Sequence, residues 1–251
     1  MEYLLWGLIF FSGAAVGSFL NVCICRLPSG ESLAYPPSHC QACGNRLRPI
    51  DLVPLLSFVL LRGSCRYCGR RIAWQYPVVE MITGFLFVAA VAKYGITLAA
   101  LRVILLFSLL VPAAAIDLRY KIIPDRLNLA GLILGVPLIF ETKGVFWAGA
   151  AGFLAGGGLL LLIAVVSRGG MGGGDIKLAA VLGLLLGWKY LLAALFLAFV
   201  AGSIVGLTMI ALKLARMKEP IPFGPYLALG AVVAALTGDR VVNWYIGFWG
   251  V

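Results

Sequence analysis

The sequence predicts an all-α, polytopic membrane protein of about eight transmembrane helices with one small insertion. Hydrophobic residues make up 62% of the 251 residues and charged residues only 12%, and the mean hydropathy is +1.03. This composition excludes a soluble globular domain. A helix needs roughly 20 apolar residues to cross a bilayer. The candidate spans are residues 3–25, 77–95, 98–116, 127–141, 144–166, 176–188, 190–213 and 224–248.

The first span is predicted to stay as a helix rather than to be removed as a signal peptide. No basic residues precede it, and no small-residue cleavage site interrupts the run to Arg26. Its small residues, including Gly13 and Gly17, would let it pack closely against another helix. The spans 127–141 and 176–188 are short, so they could be half-helices that line a cavity.

The basic residues fall mainly on one side of the predicted topology. A net charge of +10 would suggest nucleic-acid binding in a soluble protein, but membrane proteins concentrate basic residues in cytoplasmic loops. With the N-terminus outside, the cytoplasmic loops hold fifteen of the twenty basic residues: Arg26, Arg46, Arg48, Arg62, Arg66, Arg70, Arg71, Arg119, Lys121, Arg126, Arg168, Lys177, Lys213, Arg216 and Lys218. The lipid bilayer is therefore the expected partner, and nucleic acid is not.

The insertion at residues 27–75 contains two Cys-x-x-Cys pairs, Cys40/Cys43 and Cys65/Cys68. Two such pairs at this separation indicate a four-thiolate zinc site. A redox dithiol pair and unrelated thiols are the alternatives, and a reducing cytoplasm argues against two disulfides. Four thiolates would leave no position for water, so the zinc is expected to be structural and to stabilise this small region.

Three residues beside the cysteines carry more specific expectations. Gly44 and Gly69 directly follow the two pairs, where a tight turn around a metal favours a residue that can adopt positive φ. His39, the only histidine, precedes the first cysteine. It could be a ligand or a donor to one, but a solvated loop histidine is favoured.

Two acids, Asp117 and Asp175, lie at the ends of apolar segments on the predicted cytoplasmic side. An ionisable group at membrane depth is costly and indicates a functional site. Two neighbouring carboxyl groups can share one proton, so that one acts as a base and the other as an acid. The pair is expected to titrate as a unit, and either member could hold the proton.

Asp175 follows three glycines, Gly172, Gly173 and Gly174. Glycines would let the backbone approach a substrate closely, adopt unusual conformations or pair with an extended peptide. An ordinary turn between helices is the alternative.

Asp125 and Lys177 are candidate supporting residues near the two acids. Asp125 follows Pro124 and is expected to begin a helix and interact with its free amides, although it is also the rival catalytic acid.

Six ordered motifs give the chain a resemblance to the type IV prepilin peptidases, the bifunctional leader peptidases and N-methyltransferases of type IV pilus and type II secretion systems. The motifs are Gly17-Ser18-Phe19-Leu20-Asn21-Val22 with Arg26-Leu27-Pro28; the four cysteines; Tyr76-Pro77-Val78-Val79-Glu80 through Thr83-Gly84; Ile116-Asp117 with Ile123-Pro124-Asp125-Arg126-Leu127; Gly172-Gly173-Gly174-Asp175-Ile176-Lys177; and Pro222-Phe223-Gly224-Pro225-Tyr226-Leu227-Ala228-Leu229-Gly230.

The resemblance implies that Asp117 and Asp175 are the catalytic aspartates of a membrane aspartic peptidase. Such an enzyme would remove the leader of a prepilin or pseudopilin at the cytoplasmic face of the bacterial inner membrane. Leaders in this family are positively charged, so the basic loops are expected to reflect topology rather than substrate binding.

The resemblance also implies S-adenosylmethionine as the methyl donor for the new N-terminus, and the cysteine quartet favours the bifunctional branch. No Gly-x-Gly-x-x-Gly turn predicts a Rossmann-type cofactor site. Glu80 could bind the cofactor or a substrate amine, or it could pair with Arg70 or Arg71.

The predicted domains are a first transmembrane helix at 1–26, the zinc-binding domain at 27–75 and the membrane peptidase domain at 76–251. A small ion-coupled transporter with a regulatory zinc module is a different hypothesis, in which the acids bind ions at broken helices. Its weakness is that both acids lie near one face. A membrane assembly factor with a zinc docking module is a third hypothesis, in which the acids only cap helices.

Overall fold

The computed structural model describes residues 2–213 and 221–248, with 239–248 described as helix backbone only. The α-helices of these residues are α1 (Glu2–Arg26), α2 (Leu56–Leu60), α3 (Gln75–Tyr94), α4 (Leu98–Tyr120), α5 (Asp125–Leu138), α6 (Lys143–Val166), α7 (Gly173–Leu186), α8 (Trp188–Ala211) and α9 (Gly224–Phe248). The predicted all-α class is confirmed. Of the predicted cytoplasmic residues, Arg216 and Lys218 lie outside the described residues.

Each predicted span coincides with a helix, but fewer helices than expected are long enough to cross a bilayer. Within the described part of the chain, α1, α3, α4, α6 and α8 have the necessary length and hydropathy. Helices α5 and α7 contain 14 residues each, or about 21 Å at 1.5 Å per residue. The multi-pass class is therefore confirmed, with five of the eight predicted spans long enough within the described residues, while α5 and α7 are too short to cross a bilayer on their own.

Two predicted helix boundaries differ from the structure. Helix α5 ends at Leu138 and is followed by a short 3-10 turn at Ile139–Glu141, whereas the prediction continued the helix to residue 141. Helix α7 begins at Gly173, so two of the predicted loop glycines lie in its first turn. It ends before Gly187, whose φ of +77° cannot continue a helix.

The chain divides into two compact units between Gly95 and Ile96. In the first unit α1 packs along α3 through small residues, because a Cβ added at Gly17 would lie 2.8 Å from the Cα of Glu80. The predicted close packing of the first helix is confirmed. The domain boundaries at 26 and 75 stay predictions about independent folding.

In the second unit α7 is the central helix. Its residues from Leu178 to Leu185 are all buried, and it contacts helices α4, α5, α6, α8 and α9. Helix α6 approaches it most closely where Gly152 meets the carbonyl of Gly183, since neither position has room for a Cβ. This packing fixes the N-terminal turn of α7, which carries Asp175.

Candidate active site and metal centre

The four cysteine side chains of the insertion converge on one point. Their Sγ atoms all lie within 4.8 Å of one another, and those of Cys40 and Cys68 are 3.9 Å apart. Sulfur atoms bound to zinc at about 2.3 Å in a tetrahedron would be separated by about 3.8 Å. None of the four cysteines forms a disulfide. The donor set and its spacing therefore fit a zinc ion.

The two cysteine turns have the same backbone geometry. The N–H of Gly44 donates to the carbonyl of Cys40 at 2.8 Å, and the N–H of Gly69 donates to the carbonyl of Cys65 at 2.9 Å. Both glycines have φ of +71°, which a residue with a Cβ adopts only with strain. The predicted conformation at the two glycines is confirmed.

Backbone groups in the first cysteine turn also favour the thiolate form of Cys40. Hydrogen bonds from the backbone N–H groups of Cys43 and Ala42 lower the pKa of the Cys40 thiol to about 6, which favours the thiolate that zinc binds. His39 is exposed, and its Nδ1 lies 3.0 Å from the carbonyl oxygen of Pro37. This places His39 outside the sulfur cluster, as the favoured sequence interpretation expects.

Glu80 links the insertion to α3. Its Oε2 accepts a hydrogen bond from the N–H of Leu55 at 2.9 Å, and its carboxylate also bonds the side chain of Ser18. Leu55 has φ of +61°, an uncommon conformation that surrounding contacts must hold. These bonds take the place of the predicted pairing with Arg70 or Arg71, and they favour a positioning role. Cofactor binding by Glu80 stays a prediction.

Asp117 lies near the C-terminal end of α4 and is only 5% exposed. Its Oδ2 accepts a hydrogen bond of 2.7 Å from the N–H of Gly224, the first residue of α9. That N–H has no partner within its own helix, and the positive end of the helix dipole favours a negative charge there. A Cβ at Gly224 would lie 2.8 Å from the same oxygen, so only glycine fits without displacing Asp117.

Asp175 lies in the first turn of α7. Its carboxyl group is close enough to Asp117 for the two charges to interact. Its Oδ1 is buried and accepts no hydrogen bond from the described residues. The structure thus brings together the two acids selected from the sequence, and each accepts a backbone hydrogen bond, Asp117 from Gly224 and Asp175 from Gly172.

The three glycines before Asp175 differ from one another in their surroundings. A Cβ at Gly172 would lie 2.8 Å from Oδ2 of Asp175, and a Cβ at Gly174 would lie 2.9 Å from the Cβ of Ile123. A Cβ at Gly173 would enter open space. None of the three has positive φ, so the expectation of unusual backbone conformations is wrong. Two of them are needed instead because neighbouring atoms approach closely.

Asn128 is a residue of this site that the sequence reasoning missed. It is buried in α5, and its Nδ2 donates to the carbonyl of Gly174 at 3.4 Å. Its Oδ1 is buried without a partner among the described residues. Beside it, the exposed side chains of Lys177 and Asp125 form an ion pair of 2.7 Å. These contacts hold the first turn of α5 against the first turn of α7.

Two signals in the sequence could have identified these partners. Asn128 is the one amide in the apolar stretch of α5, and Gly224 lies within the motif that opens the last helix. Neither signal says which acid the residue supports, because that depends on helix packing.

A groove of about 200 Å³ lies beside the start of α9. Its walls are mostly apolar, and the rings of Phe199 and Phe223 are 5.1 Å apart. The lining residues are Phe199, Gly202, Ser203, Ile221, Pro222, Phe223 and Tyr226. Phe223 of this apolar surface directly precedes Gly224, the residue whose N–H binds Asp117.

Comparisons with known proteins identify the family to which this chain is similar. Residues 11–94 match the bacterial peptidase A24 N-terminal domain, and residues 104–207 match the type IV leader peptidase family. No solved structure matches the chain.

Among curated relatives, a protein of Bacillus subtilis (strain 168) named prepilin leader peptidase/N-methyltransferase is 37% identical over 95% of this chain and 97% of its own length. Proteins with the same name from Aeromonas hydrophila and Pseudomonas aeruginosa are each 34% identical, over 98% and 95% of this chain and over 95% and 92% of their own lengths. The paired acids, the cysteine cluster and these similarities together establish that the chain belongs to the type IV leader peptidase family.

Proposed function

We propose that this protein is a prepilin leader peptidase and N-methyltransferase whose peptidase reaction uses Asp117 and Asp175. The observation that carries the proposal is the pair of interacting carboxyl groups at the ends of α4 and α7. A carboxyl pair is the group that an aspartic peptidase needs, because one member must accept a proton while the other donates one.

The contacts of the two acids suggest different roles. Asp117 is the ionised member, because the N–H of Gly224 and the N-terminal end of α9 stabilise a negative charge on it. Asp175 is the protonated member, because its buried Oδ1 has no donor among the described residues to stabilise a negative charge, and its proton can pass to a substrate carbonyl.

In the proposed hydrolysis every proton is accounted for, and no metal ion is needed at the two acids. Asp117 takes a proton from water while the water oxygen bonds to the scissile carbonyl carbon, and Asp175 gives its proton to the carbonyl oxygen. When the tetrahedral intermediate collapses, the carbon–nitrogen bond breaks and the departing amine takes the proton from Asp117. The hydroxyl proton of the intermediate returns to Asp175, which restores both acids.

The apolar groove beside Gly224 would bind an apolar segment of the substrate. Its aromatic and aliphatic walls suit a hydrophobic partner, and its lining residue Phe223 directly precedes Gly224, which binds Asp117. The substrate class is therefore a prepilin or pseudopilin whose hydrophobic segment enters the bilayer while its leader remains in the cytoplasm. This proposal places the active site and the insertion on the cytoplasmic side of the inner membrane, as the distribution of basic residues favours.

Two cofactors accompany this function. Zinc would be held by Cys40, Cys43, Cys65 and Cys68 and would stabilise the insertion. S-adenosylmethionine would supply the methyl group for the new N-terminal amine. Glu80 remains the residue predicted for its binding, with a buried carboxylate that also accepts the N–H of Leu55.

The test is incubation of the purified protein with a prepilin, with and without S-adenosylmethionine, followed by intact-mass measurement. We expect loss of the leader in both samples and addition of one methyl group only with the cofactor. An uncleaved prepilin would contradict the proposal. Proton or ion flux through proteoliposomes containing such an inactive preparation would favour the transporter hypothesis.

A further inference from the structure

Helix α2 in the insertion exposes an apolar face. Leu56, Val59 and Leu60 have i, i+3, i+4 spacing and lie on one side of the helix, where they are 49%, 70% and 77% exposed. Trp74, which precedes α3, is 73% exposed. Its ring lies 5.2 Å from the ring of Phe58, which is part of α2. We call Leu56, Val59, Leu60 and Trp74 the α2 face. A contiguous apolar patch of this kind indicates a site of contact.

The α2 face is held beside the first turns of a membrane helix. Leu55, directly before α2, donates its N–H to Glu80 at 2.9 Å. Glu80 lies five residues after Gln75, the start of α3, which is about 7.5 Å along the helix axis. Trp74 directly precedes that start, and α3 is long and apolar enough to span a bilayer. Helix α2 is therefore at the level where α3 enters the membrane.

The charges around the α2 face fit phospholipid headgroups. Arg62 follows α2, and Arg62, Arg70 and Arg71 are all exposed. Arginines beside an apolar surface can extend to anionic headgroups, and tryptophan is enriched at the same depth. The same arginines would repel a positively charged leader peptide, so charge complementarity favours lipid over substrate as the occupant.

We infer that the α2 face inserts into the headgroup layer of an anionic phospholipid bilayer next to α3. The insertion is then a membrane-surface module that is anchored by its own apolar residues as well as by the two helices that flank it. This inference stands on contacts within the first unit and does not depend on which residues cleave a substrate.

Photo-crosslinking of the full-length protein tests the inference. Benzoylphenylalanine replaces Val59 in one variant and Leu60 in a second, since both side chains are exposed and their replacement leaves the core intact. A matched control carries the probe at the exposed Gln41 in the first cysteine turn. Each variant is purified with its zinc content checked, placed in nanodiscs of phosphatidylglycerol or phosphatidylcholine, irradiated and analysed by mass spectrometry.

We expect a phospholipid adduct at positions 59 and 60 and at least about fivefold less at position 41, with a higher yield in phosphatidylglycerol. Arg62→Gln should lower the yield at position 59 in phosphatidylglycerol by up to about fivefold, the effect of one arginine at an anionic surface. Crosslinks from both probes to another part of the chain, or to an added prepilin, would overturn the inference. Equal lipid adducts at all three positions, or equal yields in the two lipids, would also overturn it.

Discussion

The four cysteines and the two aspartates are held in place by different kinds of contact. Each cysteine turn is closed by backbone hydrogen bonds between residues only a few positions apart, such as Gly44 and Cys40. Asp117, in contrast, is bound by the N–H of Gly224, 107 residues later in the chain. The first arrangement depends on local turns and on the proposed zinc ion, whereas the second depends on the packing of membrane helices. The two regions should therefore fail in different ways when they are altered.

Replacement of either aspartate should have the largest effect on cleavage. Asp117→Asn and Asp175→Asn preserve the size of the side chain but cannot exchange a proton, so each should lower the rate by about 10²–10⁴-fold or more. Asp→Glu at either position should cost about 10²-fold, because an added methylene moves the carboxyl group by about 1 Å. The measurement is the rate of leader removal by variants that retain zinc and the parental helix content. Near-parental cleavage by either Asn variant would show that the residue is not a catalytic acid.

The glycine run provides a matched series for the second prediction. Gly172→Ala should displace the carboxyl group of Asp175, and Gly174→Ala should push α7 away from Ile123, so each should reduce cleavage by up to about 10²-fold. Gly173→Ala is the control, because its Cβ would enter open space. Cleavage rates should therefore fall in Gly172→Ala and Gly174→Ala but not in Gly173→Ala. Equal losses in all three would mean that backbone freedom, rather than space, is required.

Loss of the metal should reduce cleavage less than substitution of either aspartate, Gly172 or Gly174. Cys40→Ser or Cys65→Ser should release about one zinc per chain, since each removes one of four ligands. Hydrogen exchange should then increase in residues 38–72, while α4 to α9 keep the parental pattern. Metal analysis and exchange on the same samples check both parts. A parental protein that contains no zinc when purified without chelators would refute the metal site.

Asp125→Asn should have the smallest effect. The ion pair of Asp125 with Lys177 is exposed, and such pairs contribute about 0–1 kcal/mol. Cleavage should therefore change by no more than about fivefold.

Asn128→Ala in the same helix should reduce cleavage more, because it removes a buried hydrogen bond to Gly174. If Asp125→Asn reduced cleavage more than Asn128→Ala, Asp125 would replace Asn128 as the more important support of Asp175.

The same contrast explains what the sequence could predict. The spacing of the cysteines and the position of Gly44 and Gly69 determine the metal turns, because every required contact is local. Apolar length predicted the position of each membrane helix, but it overestimated how many reach across a bilayer. The two acids were identifiable as costly charges near apolar segments.

The partners of the acids were not predictable in the same way. The bond from Gly224 to Asp117 and the bond from Asn128 to Gly174 join helices that are distant in sequence. The periodicity of one helix does not specify which neighbour it meets. The need for glycine at positions 172 and 174 was not predictable for the same reason, since the atoms that exclude a Cβ there belong to neighbouring parts of the fold.

The two activities should be separable, with cleavage depending on the aspartates and methylation on the cysteine insertion, because the resemblance associates the cysteine quartet with the bifunctional branch of the family. Intact-mass measurement of one pilin treated with Asp175→Asn or Cys65→Ser tests this separation, with prepilin and previously cleaved pilin supplied in parallel. We expect Asp175→Asn to leave prepilin uncleaved yet methylate the cleaved pilin, and Cys65→Ser to cleave prepilin while methylating poorly. Loss of both activities in a folded Asp175→Asn variant, or equal loss of both in a folded Cys65→Ser variant, would show that the two activities are not separate.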